Sequence, residues 1–260
     1  MAKGGWAKFP YPDRGYDYAG AALKKSWGRL HRGDCEPFPG DAPVQEAWRC
    51  YHRGDFGAAI EQGLAAGAAG ANVANKAAAI YATYLEKSAP RKLKLLEDAA
   101  DRAEAAIAAA PKDANARYLH ALALGRYGQG ISIATALKKG LGGKIKASLE
   151  TAIKLQPKHA DAHIALGTWH AEIVAKVGGL VGGMTYGAKK DAAVEHFKKA
   201  LALNPDSAIA RIEYANGLAM LFGDARMKEA EKLYGEAAKC KPADAMERLD
   251  VESAKAELAD

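Results

Sequence analysis

The stretch Ala160-Asp-Ala-His-Ile-Ala-Leu-Gly-Thr-Trp-His170, followed after a gap by Ala193-Val-Glu-His-Phe-Lys-Lys-Ala-Leu-Ala-Leu-Asn-Pro205, decides the fold. Both halves carry small and apolar residues at helical spacing. The second half stops at a proline, whose preceding residue is driven out of the α region. That ending recurs upstream as Ala103-Glu-Ala-Ala-Ile-Ala-Ala-Ala-Pro111 and Ser148-Leu-Glu-Thr-Ala-Ile-Lys-Leu-Gln-Pro157, and a weaker copy ends at Pro242. A recurrence of this kind marks helix pairs that stack because none can bury its apolar face alone.

From Pro43 onward the same spacing predicts a series of helix pairs. They are Val44–Arg53 with Phe56–Ala66, Asn72–Lys87 with Arg91–Ala110, and Asp113–Tyr127 with Lys144–Leu155. Ala160–Val177 with Ala188–Leu203 and Ser207–Phe222 with Met227–Cys240 complete the series. Residues 1–42 read as an aromatic arm (Trp6, Phe9, Tyr11, Tyr16, Tyr18) and a short helix, Ala19–His31, packing on a solenoid that spans 43–242. Residues 243–260 read as a charged C-terminal capping helix. Trp27-x3-His31-Arg-Gly-Asp34 recurs as Trp48-x3-His52-Arg-Gly-Asp55, which suits a helix exit into a Gly-Asp turn.

The unit resembles the tetratricopeptide pattern W-x2-L-G-x2-Y, A-x3-F, A, P. The matching residues are His163, Leu166, Gly167 and His170, then Ala193, Phe197, Ala200 and Pro205. Ala230-x3-Tyr234, Ala237 and Pro242 repeat its second half, and Ile145-x3-Leu149, Ala152 and Pro157 precede it. The resemblance implies an all-α, right-handed solenoid of about five helix pairs. Two units are too long: 46 residues separate Pro111 from Pro157 and 48 separate Pro157 from Pro205, against about 34 in a regular repeat. The excess lies between the two helices of a pair, in glycine-rich segments 128–143 and 177–187, and should gather along one edge of the solenoid.

The segment Ile131 to Ile173, with Lys144 to Pro157 followed by Leu166-Gly167-x-Trp169, is similar to the tetratricopeptide-like domain of the regulator-of-microtubule-dynamics family. That similarity implies a non-enzymatic helical domain used for partner contact and, in membrane-associated members, for binding phospholipid.

Composition excludes several classes. The 260 residues are 49% hydrophobic and 26% charged, within the range of a folded globular chain rather than a disordered one. The net charge of +6 allows anionic partners without requiring them, and the lysines intermix with Asp and Glu, which argues against nucleic acid. Cys35, Cys50 and Cys240 have neither metal nor disulfide spacing. No segment is apolar for long enough to span a bilayer, and no apolar signal-peptide core is present, so the expected location is cytoplasmic. Nothing resembles a nucleophile elbow or a phosphate loop, so neither catalysis nor a cofactor is expected. His163 and His170 share a helix face, but they occupy the aromatic positions of the repeat, which favours packing over metal binding.

The expected function is a binding scaffold that recognises a protein or peptide on its concave face, with Asn72, Asn115, Arg117, Arg211, Tyr214 and Asn216 as candidate contacts. The alternative is an anionic phospholipid or fatty-acyl ligand at the basic insertions 128–146 and 177–190. There Lys138, Lys139, Lys144, Lys146, Lys176, Lys189 and Lys190 flank Leu180, Val181 and Met184, so ammonium groups would meet a phosphate and aliphatic groups a tail. The competing account is a pair of ordered loops with solvated lysines.

Overall fold

A computed structural model describes residues 5–259; Met1–Gly4 of the arm and Asp260 at the end of the capping segment lie outside the described residues. Among the described residues all regular structure is helical: α1 (Ala21–Leu30), α2 (Ala42–Arg53), α3 (Phe56–Ala65), α4 (Ala71–Tyr84), α5 (Ala89–Ala109), α6 (Ala114–Gln129) and α7 (Ile133–Lys138). The chain continues through α8 (Leu141–Leu155), α9 (Ala160–Val177), α10 (Gly179–Tyr186), α11 (Lys190–Leu203), α12 (Ala208–Phe222), α13 (Met227–Ala237) and α14 (Ala245–Glu257). The expected all-α solenoid of helix pairs is what the chain forms.

Helix ends follow local chemistry. Before Pro111, Pro157 and Pro205, α5, α8 and α11 stop at Ala109, Leu155 and Leu203. Two residues after each proline stands a cap: the side chains of Asp113, His159, Ser207 and Asp244 accept hydrogen bonds from the backbone N–H of Ala116, Ala162, Ala210 and Glu247. One short phrase thus ends the outer helix of a pair and starts the inner helix of the next.

Small residues set how closely the pairs approach. Phe197 on α11 is fully buried, stacks on Tyr214 with ring centroids 5.3 Å apart, and lies between Gly167 and Gly217. A Cβ at Gly217 would stand 2.5 Å from the Phe197 ring, and one at Gly167 2.9 Å, so the aromatic fills the hollow that glycine leaves on two successive inner helices.

The inner helices α2, α4, α6, α9 and α12 each touch the next, and α14 follows α12 in the same layer. α14 also touches α2, so the inner layer closes on itself as a ring of six helices while α3, α5, α8, α11 and α13 lie outside. Its bonds span the closure: His52 Nδ1 to Asp244 Oδ2 at 2.8 Å, Arg29 to both carboxylate oxygens of Glu247, and Tyr84 Oη to Asp250 Oδ1 at 2.5 Å. Ala245 and Leu249 join the core of the first helices, whereas Val251 and Ala254 join that of α12 and α13. The aromatic arm lies along the first pairs, with Trp6 edge-on to Tyr81 at 4.9 Å and hydrogen-bonded to Glu61.

The two long units are not lengthened by plain loops, as their glycine content suggests. Segment 128–143 contains α7 and the first turn of α8, and segment 177–187 contains α10.

A central cleft and its mouth

Inside the ring, α4, α6, α9, α12 and α14, with Ile145 of α8, line a cleft of about 120 Å³ that is partly open to solvent. Its wall is mostly apolar, built from Ile80, Leu122, Ile145, Ile164, Trp169 and Met246 among others. The lining runs along α6 from Tyr118 to Gln129 and along α9 from Asp161 to Glu172. These twelve residues of helix, eleven rises of 1.5 Å, span about 16 Å.

One end of the cleft is sealed. The Arg32-Gly33-Asp34 turn lies across the N-terminal ends of the inner helices: Gly33 O accepts from Asp161 N, and a Cβ on Gly33 would fall 2.3 Å from the Asp161 carboxylate. Asp34 accepts from Lys76 Nζ at 2.5 Å and bonds His31 Nδ1 at 2.9 Å. Glu36 accepts from Asn115 at 2.6 Å and from Asn72 at 3.3 Å. The turn therefore reaches α4, α6 and α9 at once.

Burial governs the titration of this plug. It pushes Glu36 up to about 8, assisted by Asp34 and Asp113, and raises Asp161 to about 6. Burial alone would depress Lys76, but Asp34 and Asp161 hold it above the usual lysine value. His159 is pushed down to about 4 by burial. Its Nδ1 accepts from Ala162 N and its Nε2 faces Asn115 Oδ1 at 2.9 Å, so the ring is neutral with the proton on Nε2.

Farther along the wall, Arg126 donates to Glu213 Oε1 at 2.9 Å, and Thr168 donates to Glu213 Oε2 at 3.1 Å. These polar groups are mutually satisfied, leaving the remaining surface to apolar contact. At the far end, Gln129 is the exposed lining residue and donates to Glu172 Oε1 at 2.6 Å. This is the mouth, and it lies where α6 and α9 run into the inserted helices.

None of Asn72, Asn115, Arg117, Arg211, Tyr214 and Asn216 lines the cleft. Asn72 and Asn115 meet at Glu36; Arg117 bonds Pro111 O; Arg211 bonds Ser207 O and pairs with Glu236. Tyr214 is buried against Phe197, and Asn216 accepts from Tyr234. Of the insertion residues, Lys146 and Lys176 contact groups at the mouth. Lys146 Nζ donates to Tyr186 O at 2.8 Å and lies over Trp169, Trp169 Nε1 donates to Gly142 O, and Lys176 pairs with Glu172. Lys139 pairs with Glu97, and Lys190 donates to Leu221 O. Lys138, Lys144 and Lys189 are exposed, as are Leu180, Val181 and Met184.

Sequence reasoning missed the cleft wall itself. A signal was present: Asp161, Ile209 and Met246 each stand four residues after a repeat's proline, and Ala165, Glu213 and Asp250 eight after it. His163 and His196 face each other through Nδ1 at 2.9 Å, and the described residues contain no group of three or more side chains able to hold a metal ion.

This architecture defines a tetratricopeptide-like helical scaffold. A crystal structure of TTC0263, a thermophilic TPR protein of Thermus thermophilus, has the same fold: the TM-score is 0.58 at 20% identity, covering 82% of this chain and 97% of that one. A monomeric IFIT1 mutant with Gppp-AAAA is more distant, with a TM-score of 0.44 at 15% identity over 85% of this chain and 56% of its own. No curated protein sequence matches. The family model described as regulator of microtubule dynamics protein 1-3 matches residues 68–258, and the chain belongs to that family. No helix among the described residues is long and apolar enough to cross a membrane.

Proposed function

We propose that this protein is a non-enzymatic scaffold whose ligand is the slender apolar chain of an anionic amphiphile, a fatty acid or phospholipid, held in the central cleft. The observation that carries this reading is the shape of the cleft. It is apolar along its walls, stopped at one end by the Arg32–Glu36 turn, and open at the other beside a basic edge. A chain entering at Gln129 would exchange water for Leu122, Ile145, Ile164 and Met246, at roughly 25 cal/mol per Å² of apolar surface removed from water. About 16 Å of depth suits a medium-chain acyl tail. Asp34, Glu36 and Asp161 at the sealed end disfavour an anionic head there, whereas at the mouth Lys146 and Lys176, paired with Glu150 and Glu172 at the protein surface, are within reach of one.

A protein segment laid along the concave side would have to displace α14, whose Asp244, Ala245, Leu249, Asp250, Val251 and Ala254 are all buried. The cleft therefore supports the acyl-chain reading over the peptide reading. Native mass spectrometry of the purified chain, mixed with a medium-chain fatty acid below its micelle concentration, tests it. A one-to-one complex is expected; a mass that stays free of ligand, together with no heat of binding by calorimetry, would overturn the reading.

A further inference from the structure

We infer that the outward faces of α7 and α10 form a docking surface for an anionic bilayer, placed at the mouth of the cleft. This rests on the acyl-chain reading only for its purpose; the surface itself is argued from separate residues.

Both inserted helices turn their apolar side outward. On α10, Gly182 and Tyr186 face the protein: Gly182 is buried against Ile173, and Tyr186 lies against Gly142 and accepts from Lys146 through its carbonyl. Leu180, Val181 and Met184 occupy the other face, with Leu180 78% and Met184 82% exposed. On α7, Ile133 and Leu137 are one turn apart and both half exposed. An ordinary surface helix would carry polar residues at such positions. Exposed aliphatic side chains concentrated in two short inserted helices mark an interaction site rather than scattered surface residues.

The electrostatics select the partner. No acidic residue occurs in 128–149 or 173–190, whereas Lys138, Lys144 and Lys189 are exposed among the apolar groups. α7 leads directly into the first turn of α8, which touches α10 through Gly142 and Lys146, so the two faces flank one edge. The edge is shared with the cleft mouth through Gln129, Ile145 and Glu172. Aliphatic side chains flanked by the exposed Lys138, Lys144 and Lys189, with no carboxylate inside either segment and with Glu150 and Asp191 only at their borders, match a bilayer with acyl chains below an anionic headgroup layer. Docking there would bring the mouth to the surface from which an amphiphile leaves.

The test is co-sedimentation of the full chain with phosphatidylcholine vesicles that either contain or lack phosphatidylserine. Binding is expected only with phosphatidylserine and should weaken with salt, since exposed charges are screened within about 8 Å at physiological ionic strength. Each lysine near an anionic surface contributes a factor of about five, so Lys138→Glu with Lys189→Glu should cut binding more than tenfold. Leu180→Asp with Met184→Asp should do the same through lost apolar insertion, with circular dichroism unchanged because both residues project into solvent. Gly125→Leu, which narrows the cleft, should leave vesicle binding intact. Equal binding to both vesicle types, or unchanged binding by either double variant, overturns the docking surface. So does loss of binding in Gly125→Leu, which would mean that extraction of lipid into the cleft accounts for the association. Absence of vesicle binding alongside uptake of monomeric fatty acid would sink the docking surface and leave the cleft reading standing.

Discussion

Gly125 lies in the middle of α6 and lines the cleft, with no atom within 4 Å of where a Cβ would stand. Replacing it therefore probes the empty space directly. Gly125→Ala removes the conformational freedom of glycine from a helix interior and should stabilise the protein by about 0.5–1 kcal/mol. Gly125→Leu keeps that gain and lays an aliphatic side chain along the apolar wall, adding up to about 1–2 kcal/mol of burial. For a chain of this size the two variants should melt roughly 1–4 °C and 3–12 °C above wild type. Their effects on ligand should then diverge. Titration with a medium-chain fatty acid should give near wild-type affinity for Gly125→Ala. The leucine variant should lose about tenfold or more, because its side chain occupies part of the volume the ligand needs. If Gly125→Leu melts below wild type, the space is not there; if it is stable and still binds at full affinity, the chain does not bind in the cleft.

Other substitutions bear on the contacts that hold the ring together. Gly217→Ala, unlike Gly125→Ala, should destabilise by about 1–3 kcal/mol, since its Cβ would stand 2.5 Å from the Phe197 ring; urea denaturation gives the sign. Tyr84→Phe strands the buried Asp250 carboxyl and should cost about 1–3 kcal/mol, with amide hydrogen exchange rising in α14 and not in α9; a uniform rise would mean that α14 is not a separate closing element. His159 is held near 4, below its ordinary value, so it stays neutral in the fold while the unfolded chain takes up a proton below about 6.5. Its contribution is complete above pH 6.5 and is lost as pH falls towards 4, at up to about 1.4 kcal/mol per pH unit. His159→Asn keeps a capping side chain and should take up to that amount from the slope of this limb, leaving the part due to His31, His170 and His196, which burial also holds near 4; an unchanged slope would show that His159 does not contribute.

The pairing of helices was legible because it depends on local chemistry. Prolines stop the outer helices, and small residues stand where Phe197 and its equivalents must fit. Helix content within the insertions was hidden by glycine: Gly179, Gly182 and Gly183 lower the propensity of α10, and packing of Gly182 on Ile173 outweighs it. The closure by α14 was half legible. Pro242-Ala-Asp244 repeats the stop-and-cap phrase, which identifies α14 as a further inner helix, but contact with α2 depends on superhelical curvature accumulated over five pairs. The candidate contacts Asn72, Asn115 and Arg211 stand out in sequence as polar residues on inner helices. The wall of the cleft is made instead by unremarkable Ile, Leu and Ala residues whose convergence only the closed ring reveals.

On the proposed reading, the ring of inner helices holds an acyl chain tail-first in a blind apolar cleft. Paramagnetic relaxation of methyl signals by a fatty acid carrying a nitroxide at its tail end distinguishes this from binding outside the cleft. The methyl signals of Ile164, Ile209 and Met246, deep in the wall, should broaden, while those of Ile133, Leu180 and Met184 outside should not. Broadening confined to the outer helices, or none at all, would contradict it.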